Sequence, residues 1–124
     1  MKTDRPVNLN IFTITLPFVG VASFTHRVTG MILFVGFAFG LYALQLALSS
    51  PEGFAEAATL SDSVLGRIIF VGLIFALSYH VLAGIKHLLL DFHIGDTFEA
   101  QKVASLIVLV LAVIDTVVFG VLLW

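Results

Sequence analysis

Apolar residues fill this chain in three long blocks separated by short polar breaks. The first block, 21–48, is interrupted by Ser23, Thr25, His26, Arg27, Thr29 and Gln45, and the second, 64–90, by Arg67 at one end and by histidines in the other half. The third, 103–124, carries Asp115 as its only charge. About twenty apolar residues suffice to cross the hydrocarbon layer as a helix, so each block predicts a span. The break Ser49-Ser50-Pro51-Glu52-Gly53-Phe54-Ala55-Glu56 combines Pro, Gly and acids and reads as a solvated loop, and 91–102 reads as a second polar connection. The first twenty residues mix Lys2, Asp4, Arg5 and Pro6 with a short, interrupted apolar run and lack the core and cleavage site of a signal peptide. They suit a segment lying at the membrane surface. The expected architecture is an all-α membrane protein: a single domain over 1–124, with three transmembrane helices packed as a bundle behind a short surface-lying segment.

Composition agrees with that picture. Of the 124 residues, 60% are hydrophobic and 11% charged, and the mean hydropathy is +1.12. A net charge of −2 offers nothing to nucleic acid, and with no cysteine the chain itself cannot hold a disulfide or a thiolate-bound zinc or iron–sulfur centre. Lys2, Arg5, Lys86 and Lys102, with Arg27 nearby, fall on one side of the three spans and Arg67 alone on the other. Positive residues favour the inner side, so the N-terminus is expected in the cytoplasm or matrix and Trp124 at the outer interface. Gly36 and Gly40 form a small-xxx-small face for close helix packing.

The chemistry concentrates in the second span. His80, Gly84, His87 and Asp91 recur at helical spacing and make one polar stripe on an apolar helix. Ionisable groups inside a membrane are expensive and mark function by default. His80 stands eleven residues before Asp91, about 16 Å from the inner end at 1.5 Å per residue. A neutral histidine hydrogen-bonded to a neighbouring helix is one reading, and axial ligation of haem iron is the other. Two histidines on one helix cannot approach an iron from opposite faces, so His80 and His87 are not a ligand pair. His26, counted from the start of its span, falls several ångströms short of the depth of His80, which points to a second ligand on another chain. Gly84, one turn from His80, offers clearance for a flat macrocycle or for simple helix packing. Ser23, His26, Arg27 and Gly30 share a face of the first span. Arg27 there can snorkel to the phosphate layer, meet haem propionates, or donate with Ser23 to a quinone carbonyl.

Four segments together carry a family resemblance: Arg5-Pro6-Val7-Asn8-Leu9, Ser23-Phe24-Thr25-His26-Arg27-Val28-Thr29-Gly30, Ser50-Pro51-Glu52-Gly53-Phe54, and His80-Val81-Leu82-Ala83-Gly84-Ile85-Lys86-His87 running on to Asp91. In this order they resemble the cytochrome b subunits of succinate dehydrogenase. The resemblance implies a membrane anchor of respiratory complex II in a bacterial or mitochondrial inner membrane. Such an anchor shares one haem b with a second anchor subunit and carries the iron–sulfur and flavoprotein subunits on the inner side. It further implies His80 as an axial haem ligand, Ser23 and Arg27 at the ubiquinone site, and His26 with Arg27 beside the haem propionates. Gly84, His87 and Asp91 are expected as supports toward the inner surface.

Lys86 stands where the family commonly has arginine, and His93 and Asp115 have no counterpart in its pattern. Asp115 is expected to be protonated or paired, with Arg67 or with another chain. The chain has no dinucleotide fingerprint and is too short for a dicarboxylate-binding domain, so succinate oxidation is expected on a partner. The rival expectations are a quinol:fumarate reductase anchor, a haem-free transporter or assembly protein, and a homodimeric cytochrome.

Overall fold

The computed structural model describes residue 10 and residues 13–124. Most of the expected surface-lying segment, including Arg5 to Leu9, lies outside the described residues. Four helices follow one another: α1 Phe18–Ser49, α2 Pro51–Asp62, α3 Val64–Asp91 and α4 Phe98–Leu123. Helices α1, α3 and α4, of 32, 28 and 26 residues, are long and apolar enough to cross a membrane, as the three blocks predict.

Two boundaries differ from expectation, each for a capping reason. The Pro51–Asp62 region is a helix rather than a loop. Ser50 leaves α1 in an extended conformation, and its Oγ accepts the backbone N–H of Gly53 at 2.9 Å. Pro51 then occupies the first turn, where its missing N–H costs nothing, and Glu52 complements the positive end of the helix. Residues that stop one helix start the next. Gly53 is buried because α2 folds back on the end of α1, and a Cβ there would run into the Leu46 carbonyl. The 91–102 connection is likewise shorter than expected. Thr97 Oγ1 accepts from the Ala100 N–H at 3.3 Å, so α4 begins at Phe98 and only 92–97 remains as turn. That turn carries His93 at φ 59° and Gly95 at φ 70°, the left-handed conformation that closes α3 tightly.

The helices run antiparallel. Along α1 and α3, Ser23 lies by His87, Gly30 by His80 and Gly36 by Leu73. Along α3 and α4, Lys86 meets Ser105, Val71 meets Gly120 and Arg67 meets Trp124. The α3/α4 seam is built from small residues, with Ala83 and Ala112 almost fully buried around Tyr79 and Val108. In lipid there is no hydrophobic drive between helices, so close approach through small side chains and interhelical hydrogen bonds carries the packing. The buried Tyr79 hydroxyl donates to the Ala22 carbonyl at 2.9 Å and ties α3 to α1. Of the expected glycine face, Gly36 packs against Leu73, while a Cβ added at Gly40 would meet nothing within 4 Å.

Large apolar side chains elsewhere point outward, among them Phe34, Phe37 and Leu122. At the end of the bundle remote from the histidines, Arg67 lies 3.6 Å from Asp62 and 5.6 Å from the Trp124 ring centre. This pairing corrects the thought that Arg67 neutralises Asp115. Asp115 sits about half a membrane thickness away along α4 and has no ion pair or hydrogen bond among the described residues.

Lys86 is buried, and its Nζ donates to Ser105 Oγ at 3.1 Å. Removing that acceptor strands a buried donor, whereas removing both groups does not. Ser105→Ala is expected to lower the stability of the detergent-solubilised protein by about 1–3 kcal/mol. Most of that loss should return in Lys86→Met/Ser105→Ala, as read by denaturant titration.

Candidate functional site

The antiparallel register of α1 and α3 gathers three imidazoles between the first half of α1 and the second half of α3. The His26 ring is stacked between the other two, 4.2 Å from the His80 centroid and 5.1 Å from that of His87, with interplanar angles of 19° and 18°. This corrects the expectation that His26 misses the depth of His80. Helix α1 starts at Phe18 rather than 21, which moves His26 almost one turn deeper, about 4.5 Å at 1.5 Å per residue, and the rings cover the rest. Because the rings meet face to face, their nitrogens do not converge, and no group of three ligating side chains that could hold a bare metal ion occurs among the described residues.

The hydrogen bonds assign the proton on two of the three rings. His80 Nδ1 is 3.0 Å from the His26 carbonyl oxygen and 3.3 Å from Thr29 Oγ1. A carbonyl can only accept, and the one Thr29 proton is spent on that same carbonyl at 2.8 Å. Nδ1 therefore carries the hydrogen, and Nε2 keeps its lone pair with no partner among the described residues. A histidine that donates through Nδ1 to a backbone carbonyl and leaves Nε2 bare is arranged as metal-ligating histidines are. In the same way His87 Nδ1 donates to the Ala83 carbonyl at 2.6 Å, so His87 Nε2 is the acceptor for the Ser23 hydroxyl at 3.4 Å. His26 Nε2 is buried with no hydrogen-bond partner, and it lies over Gly84, 3.6 Å from where a Cβ would stand. The clearance at Gly84 is thus taken up by the His26 ring.

The predicted site residues divide into two groups. Ser23, His26, His80, Gly84 and His87 come together between α1 and α3. Arg27 is exposed one turn along α1 from Ser23, and Asp91 is exposed at the end of α3; neither has a side-chain partner among the described residues. Thr29, the His26 carbonyl and Tyr79 complete the site and were not singled out by sequence reasoning. Thr29, at three residues from His26 on the same face, was the available signal. Beyond Gly30 an open apolar groove of about 630 Å³ continues between α1 and α3, lined by Leu33, Phe34, Phe37, Leu73 and Leu77. A polar end with donors thus leads into an apolar trough.

Two curated relatives align over almost the full chain. A succinate dehydrogenase cytochrome b556 subunit of Paracoccus denitrificans is 36% identical over 95% of this chain and 94% of its own length. A protein of the same name from Coxiella burnetii is 28% identical over 100% of both. The sequence model of the family described as succinate dehydrogenase/fumarate reductase transmembrane subunit matches residues 1–119. With its three apolar helices and this match over nearly all of its length, the chain belongs to the succinate dehydrogenase/fumarate reductase transmembrane subunit family.

Proposed function

We propose that this chain is the haem b and quinone-site anchor of a succinate:quinone oxidoreductase, serving electron transfer from succinate oxidation to ubiquinone. The observation that carries the reading is the His80 imidazole, held deep in the membrane with Nδ1–H on a carbonyl and Nε2 bare. The donor set fits the group. Neutral imidazole is the usual nitrogen ligand of haem iron, and the exposed Arg27, with His26 whose buried Nε2 lacks a partner, would hold propionates on the inner side. The haem, when bound, supplies a one-electron redox centre. Stacked rings 4.2 Å apart leave no gap for a macrocycle between them, so His80 would hold the haem without His26 as its fellow ligand, and a second anchor subunit would supply the other one.

Arg27 and Ser23 are the quinone donors in this reading. Arg27 presents several N–H groups toward a carbonyl oxygen that gains negative charge on reduction, the kind of charge that preformed donors stabilise most. Ser23 has one proton, and at rest it points to His87 Nε2. To donate to quinone Ser23 must turn away from His87, or receive a hydrogen bond from His87 in its protonated form. His87 therefore governs how readily Ser23 serves, and Asp91 stands at the inner surface where protons enter. The chain lies with its N-terminus on the cytoplasmic or matrix side, where the iron–sulfur and flavoprotein subunits dock. The names of the two relatives favour succinate oxidation over the fumarate-reducing direction that the family also covers.

In the assembled complex, His80→Ala is expected to lose or strongly alter the b-type signal in the reduced-minus-oxidised visible spectrum; an unchanged spectrum would remove His80 as ligand. Arg27→Ala should lower succinate:quinone activity by about 10²-fold, as for loss of a donor to developing charge, while reduction of an artificial dye upstream stays near the parent rate. Equal loss of both activities would contradict the quinone role.

A further inference from the structure

The α1 turn from His26 to Gly30 does more for His80 than contribute a hydrogen bond. A Cβ placed on Gly30 would lie 2.9 Å from His80 Cε1, 3.5 Å from Nδ1 and 3.9 Å from Nε2. Cε1 is the carbon between the two nitrogens, so the bare backbone of Gly30 rests against the edge that joins the donor to the lone pair. At 2.9 Å something has to shift, and the ring has little freedom to do so. Its face is covered by the His26 ring at 4.2 Å, and its Nδ1–H is held by the His26 carbonyl at 3.0 Å. A side chain at position 30 therefore turns the imidazole, pulling Nδ1 from the carbonyl and swinging Nε2 by a similar amount. Thr29, only 3% exposed, adds the second element: its hydroxyl, committed as a donor to the His26 carbonyl, can only accept from Nδ1–H. It thereby disfavours the tautomer that would protonate Nε2.

We propose that Thr29 and Gly30 are positioning residues for His80, Gly30 by giving the ring its seat and Thr29 by holding the proton on Nδ1. This inference rests on the reading of His80 as an axial ligand. It predicts how ligation depends on two residues that touch neither iron nor quinone. Second-shell acceptors on a ligating histidine orient the ring and raise its basicity, so both the occupancy and the electronic character of the site should respond.

The test uses the whole purified complex in detergent, with haem-to-protein ratio and carbon monoxide difference spectra as readouts. Carbon monoxide binds reduced haem where an axial position is open. Gly30→Ala is expected to lower haem content or to create a carbon monoxide-reactive fraction absent from the parent. Gly72→Ala on α3, where an added Cβ meets nothing within 4 Å, is expected to do neither. If Gly30→Ala does not assemble, Thr29→Val decides: it keeps the shape and removes only the oxygen. Its haem midpoint potential should differ from the parent while Thr29→Ser, which keeps the hydroxyl, matches it. Full haem with no carbon monoxide reactivity in Gly30→Ala, or an unmoved potential in Thr29→Val, overturns the proposal. Retention of the native spectrum in His80→Ala instead removes the ligand reading beneath it, so the two failures are separable.

Discussion

The carbonyl of His26 is the point on which the site turns. It lies inside a helix, yet it accepts both the Thr29 hydroxyl and the His80 imidazole, and so locks α1 to α3 at a depth where water cannot substitute. In a hydrocarbon environment a polar side chain has few alternatives, which gives one such clamp authority over the register of two helices. Tyr79 repeats the device one turn away on the Ala22 carbonyl, and Ser23 with His87 adds a side-chain hydrogen bond between the same helices. The three ties join 22, 23 and 26 of α1 to 79, 80 and 87 of α3. The imidazole stack is a consequence of that register.

The other seam, between α3 and α4, works differently. Alanines at 83 and 112 let the backbones approach, and the side-chain hydrogen bond across it runs from Lys86 to Ser105. One seam thus gathers the imidazoles and the other brings helix backbones together. Most large apolar side chains on the outside remain uncovered, as suits a chain whose neighbours are lipid and other subunits.

Much of this was legible in the sequence because membrane spans follow from length and polarity alone. The three blocks gave the three long helices, and the polar positions within them marked Ser23, His26, His80 and His87. What escaped reading depended on caps and on the relative sliding of helices. Ser50 with Pro51 signals a helix start as much as a loop, and the composition of that stretch suggested only the loop. The depth of His26 was misjudged because apolar runs blur helix ends, and Pro17 marks a start three residues earlier than the hydropathy does. Thr29 and the His26 carbonyl could not stand out, since a backbone acceptor has no letter in a sequence.

The proposed function depends on His80 giving Nε2 to haem iron, and the reduced-minus-oxidised visible spectrum of the purified native complex tests that most directly. The expected result is the sharp absorption of a low-spin b-type cytochrome, in stoichiometric amount with this subunit. A complex containing this chain in full amount with no haem absorption would contradict it.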